Sequence, residues 1–137
     1  MAIRVRHLSR KESGRLRGVP VQKFARVLLA CIRLLNGGAA LLVPGFLARQ
    51  IGVDSNANPG VVYVFRMFGI RTVLIGAELL VQTGERRSEA VRRAVVIHAS
   101  DTLAAFLATR SNHFPKQGRA IIFISALNTV LAIIANR

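Results

Sequence analysis

The sequence predicts an all-α fold, a four-helix transmembrane bundle preceded by a basic N-terminal tail. Three observations predict it. Apolar residues make up 52% of the 137 and fall in long runs broken by short Gly-, Pro- or charge-rich stretches. The 20 Lys and Arg residues outnumber six acids and gather mostly outside those runs, for a net charge of +14. Polar residues inside the later runs recur on one helical face beside small residues, with large apolar residues opposite. A soluble amphipathic helix has the reverse pattern, whereas membrane helices pack through small and polar residues and turn large ones to lipid.

Residues 1–23 read as a basic tail that lies on anionic headgroups, where each basic side chain contributes about 1 kcal/mol. A secretory signal peptide fits less well, because the charged region is long and Arg33 interrupts the apolar run that follows. An Arg-rich targeting peptide is a further reading, since Glu12 is the tail's one acid. The membrane domain spans 24–137. Its first helix is expected over 24–43, ended by Pro44-Gly45. Phe46, Leu47, Ile51 and Val53 alternate with Arg49 and Gln50 as in a short interfacial segment, and 54–60 reads as a loop.

The second helix, 61–82, is long enough to cross a bilayer at about 33 Å, yet it carries Arg66, Arg71 and Glu78. Gly84 and the run Glu85-Arg86-Arg87-Ser88-Glu89 are expected to end it. The third helix is placed at 90–109 and the fourth at 119–135, near the lower length limit for a span. Counting the Lys and Arg of the tail through Arg26, of the loops with the charged helix ends beside them, and of the C-terminus puts thirteen on the side of the two termini and four on the other. Both ends are therefore expected in the cytoplasm, in a multi-pass membrane protein.

Several function classes are excluded at this stage. Nucleic-acid binding would call for basic residues among stacking aromatics or a known motif, and neither is present. Cys31 is the one cysteine and is expected to be a small buried residue. His7, His98 and His113 are too scattered for a zinc pattern. No metal and no cofactor is implied.

The polar residues inside the helices carry the rest. On the third helix Ala94, His98, Asp101, Thr102, Ala105 and Ala108 share a side, opposite Val96, Leu103, Phe106 and Leu107. On the fourth, Ile121, Ser125, Asn128, Thr129, Ala132 and Asn136 oppose Phe123, Leu127, Val130 and Ile134. The two polar faces match at an offset of 27 residues, as duplicated hairpins or the common needs of helix packing would give. In the second helix Arg71 and Glu78 share one face. Gly69 and Gly76 share another with Arg66, and there they would admit a close neighbour. A charge near the bilayer centre costs at least about 2.5–3.5 kcal/mol, so such groups pair. The expectation is an intramembrane polar cluster of Arg33, Arg71, Glu78, His98, Asp101 and Asn128. It serves either as glue between helices or as the floor of a pocket, in which His98 and Asp101 handle protons and Arg71 holds an anion.

From Arg33 to Ala135 the chain resembles a family of small four-helix integral membrane proteins known as a domain of unknown function. The resemblance rests on Pro44-Gly45, on Arg66-Met-Phe-Gly69-Ile-Arg71 followed by Gly76, and on Asp101. In that family an acid often follows the second arginine; here Thr72 stands, so Glu78 or Asp101 must supply the partner. The resemblance implies fold and location and no chemistry. The functional expectation is an accessory or interaction subunit of a membrane assembly, self-associating or joined to a larger complex, rather than an enzyme. The alternatives are a small membrane enzyme or lipid-binding protein using the polar cluster, and an oligomeric transporter or channel with Glu78 or Asp101 as its ion-coupled acid.

Overall fold

The computed structural model describes residues 20–110 and 117–137, so most of the expected tail and the loop before the last helix lie outside the described residues. The fold is all-α, with α1 (Val21–Leu42), α2 (Pro44–Gln50), α3 (Gly60–Val81), α4 (Gly84–Arg110) and α5 (Gln117–Ala135). Among the described residues there is no strand. One helix, α1, is long and apolar enough to cross a bilayer, and α5 is apolar from Arg119 to Ala135 but shorter.

Val43 breaks the first apolar run with φ −130° and ψ 50°. Pro44 then occupies the first turn of α2, where its missing N–H would have had no partner anyway. The expected interfacial segment is this one short helix. Its exit loop turns at Gly52 (φ 79°), and at Asp54, whose Oδ1 accepts from the Asn56 N–H at 2.9 Å.

The largest departure from expectation is α4, which begins at Gly84 rather than near residue 90. Glu, Arg and Ala are good helix formers, so the charged run 85–89 extends the helix instead of forming a loop. The connection shrinks to Gln82 and Thr83, with Gly84 at φ +56°, a left-handed value that suits glycine. Arginines close the turn: Arg26 donates to the Leu79 carbonyl (2.8 Å) and Arg87 Nε to the Gln82 carbonyl (3.0 Å). Both acceptors lie at the C-terminal end of α3, where carbonyls lack helical partners.

The helices form two close pairs, α1 with α3 and α4 with α5. Contact between α1 and α5 joins the pairs, while α3 and α4 touch lightly. Glycines set the first pair. A Cβ on Gly37 would sit 2.9 Å from the Gly69 carbonyl, one on Gly69 would sit 2.8 Å from the Gly37 carbonyl, and one on Gly76 would sit 3.1 Å from the Ala30 carbonyl. Gly69 and Gly76 are thus the packing residues the sequence suggested.

Burial is inverted relative to a water-soluble domain. Among the described residues, seven of the eleven buried apolar ones are alanines, and Arg33, Thr72, His98 and Asn128 are buried with them. Outside stand Leu42 (83% exposed), Leu35 (74%), Tyr63 (70%) and Phe123 (69%). Val96, Leu103, Phe106 and Leu107 are exposed on α4 as its pattern required. On α5 the division is less strict, with Ile121 exposed and Ile134 half-buried. Cys31, expected inside, is exposed on α1.

Candidate functional site

The polar cluster forms where the two helix pairs meet, and Asp101 is its centre. Arg33 reaches it from α1, at 3.3 Å from Oδ2, and Arg71 from α3, at 3.1 Å from Oδ1. Two guanidinium groups from one helix pair therefore share a carboxylate from the other. The Arg33 side chain is 5% exposed, that of Asp101 26% and that of Arg71 54%.

His98, one turn before Asp101, is fully buried. Arg33 Nε donates to its Nε2 at 3.2 Å, and Arg33 Nη2 lies against its Nδ1. A guanidinium only donates, so at least one ring nitrogen is an unprotonated acceptor. His98 Nδ1 is 3.8 Å from Asp101 Oδ2, outside hydrogen-bond range. Below this group the Thr102 and Thr129 hydroxyls meet at 3.1 Å and join α4 to α5. These two residues correspond at the 27-residue offset noted in the sequence. Each also lies close to the carbonyl one turn back, Thr102 at 2.7 Å from His98 and Thr129 at 2.9 Å from Ser125.

Of the six expected cluster residues, four come together: Arg33, Arg71, His98 and Asp101. Asn128 is buried on α5, and its Oδ1 has no hydrogen-bond partner. Glu78 is a correction. It pairs with Arg93 across the α3–α4 junction at 3.0 Å, with both side chains about half exposed. Seven residues separate Glu78 from Arg71, about 10.5 Å along a helix, so the shared face puts them at different depths. The Glu78–Arg93 pair is expected to contribute little. Glu78→Gln should shift the unfolding free energy by about 1 kcal/mol or less, as measured by thermal unfolding in detergent. A loss above 2 kcal/mol would show that it holds the helices together.

Two clefts among the described residues, one along α4 and one at an end of the bundle, have no member of the cluster in their lining. Among the described residues no three His, Cys, Asp or Glu side chains gather as metal ligands do. Arg26 and Arg87 went unnoticed in the sequence as connectors, because each sits in an unremarkable basic stretch. No known protein family, curated protein or solved structure matches the chain.

Proposed function

We propose that the protein is a multi-pass membrane protein whose four long helices span the bilayer, with both ends cytoplasmic, and that it works as an accessory or interaction subunit. The observation that carries this reading is the exposure of large apolar side chains on all four long helices around a core of alanine, glycine and charge. Water would penalise such a surface, since soluble monomers rarely expose contiguous apolar patches beyond a few hundred Å². Lipid would not. In lipid, polar residues inside the bundle and small residues at helix contacts are what hold helices together.

The cluster acts as a lock between hairpins rather than as a reaction centre. His98 and Arg33 are buried against each other and Asp101 is engaged by two arginines, so these groups are spent on one another. Interaction therefore falls to the outer faces. Capture from native membranes in mild detergent should recover a stoichiometric partner or a homo-oligomer; a lone 14.9 kDa monomer would count against the reading.

Cys31 gives a direct test of placement. It is exposed near the middle of α1, so in a spanning helix it faces acyl chains. A membrane-impermeant maleimide should leave it unmodified in opened membranes and label it only after denaturation. Prompt labelling before denaturation would place this face in water.

A further inference from the structure

At the end of the bundle where α1 and α4 begin and α5 finishes, a cleft of about 780 Å³ opens between the helices. Lys23 and Arg26 of α1, Arg87, Ser88 and Arg92 of α4, and Arg137 line it, with no Asp or Glu side chain among the lining residues. Five like charges around one recess repel each other, and concave walls concentrate their field. Two of the five are fixed in place: Arg26 and Arg87 are tied to the Leu79 and Gln82 carbonyls and cannot swing apart to relieve the repulsion. Pro20 and Gln22 also line the cleft, at the start of a helix with no side-chain cap and no acid in its first turn. The positive end of the α1 dipole thus adds to the same field. The α5 terminus brings a partial charge of opposite sign, small beside five full ones.

We propose that this cleft is a binding site for a phosphate-bearing anion, supplied by the headgroup of an anionic phospholipid. Arg92 carries the argument for lipid over a free phosphate. It also lines the neighbouring groove, where Glu89 stands beside it and the surface continues along α4 past Arg93, itself paired with Glu78, to Val96 and Ile97. Within about one helical turn the surface passes from cationic to apolar, the order in which a phospholipid presents phosphate and acyl chain. Basic pockets between membrane helices on the cytoplasmic side bind such headgroups. The lipid source rests on the membrane reading above, whereas the phosphate chemistry does not.

The test uses the full chain in neutral detergent, with bound lipid counted by native mass spectrometry. Wild type should retain phosphatidylglycerol over phosphatidylcholine. Lys23→Gln/Arg92→Gln should lose that preference roughly tenfold or more with an unchanged circular dichroism spectrum. The pair spares Arg26 and Arg87, whose side chains hold the α3 end together. If it fails to fold, Lys23→Gln alone, on the exposed first turn of α1, should lose roughly fivefold. In a second arm, inorganic phosphate is titrated against thermal unfolding. A phosphate-dependent rise in wild type that the variant lacks, without any lipid preference, assigns the same cleft to a soluble phosphate. Lipid retention and phosphate response both unaltered in the variant would overturn the proposal, since the tail residues Arg4 to Arg17 would then be holding the anion. Carbonate extraction of the protein from membranes would sink the membrane reading while leaving the phosphate arm intact.

Discussion

Asp101→Ala is expected to destabilise the fold by about 3–5 kcal/mol, the cost of leaving a buried charge without its partner. Arg33 is 4% exposed and cannot reach water without moving α1, so loss of the shared carboxylate strands its charge beside His98. Arg71 stands mid-helix with its side chain more than half exposed, so in a spanning α3 that side faces lipid and its pairing with Asp101 should be worth about 2.5–3.5 kcal/mol. The two arginines are thus distinguishable in double-mutant cycles, read by thermal unfolding in detergent. Arg33→Met should cancel much of the Asp101→Ala loss, because it removes the stranded charge and keeps the volume. Additive effects of Arg33→Met and Asp101→Ala would show that the pair is not coupled. Arg71→Ala with Asp101→Ala should also fall short of additivity, by a smaller margin.

Gly69→Val is the second large effect. A single Cβ already lands 2.8 Å from the Gly37 carbonyl and 2.9 Å from the Leu41 backbone nitrogen, and backbone cannot give way as a side chain does. The branched side chain must force α1 and α3 apart, at a cost of about 1–3 kcal/mol for overpacking and with loss of their polar contacts. Gly38→Ala is the matched control. It lies in α1, the helix that faces Gly69, with nothing within 4 Å of its Cβ position, so the change should stabilise by up to about 1 kcal/mol through helix propensity. Equal destabilisation by the two would mean that close approach at Gly69 does not govern the pair.

The four long helices were legible because turn signals such as Pro44-Gly45 and 54–60 are chemically explicit, while the short fifth one, α2, was not read as a helix. The polar faces of α4 and α5 were legible because 100° per residue separates His98 and Asp101 from Leu103 and Phe106 on geometry alone. The start of α4 was not. A charged run such as 85–89 reads as a loop when polarity is weighed, and as helix when propensity is. The misplacement of Glu78 follows from the same cause: with 86–93 assigned near a loop, Arg93 was not available as its partner. Periodicity also reports angle and not depth, which is why Arg71 and Glu78 could share a face and still serve separate contacts. Cys31 fell outside the reading because an apolar run such as 27–32 does not reveal which side is inward.

The two-residue connector between α3 and α4 bears on how the protein is made. Arg33 precedes Asp101 by 68 residues and Arg71 precedes it by 30. In a bundle inserted during synthesis, the α1–α3 hairpin is complete before the carboxylate that neutralises it exists. On the proposed membrane reading an uncompensated arginine in the bilayer would cost at least about 2.5–3.5 kcal/mol, so this hairpin alone would be a strained biogenesis intermediate and docking of α4–α5 the step that relieves it. On that reading translation order would give quality control a chemical mark of incompleteness: two arginines still in want of an acid.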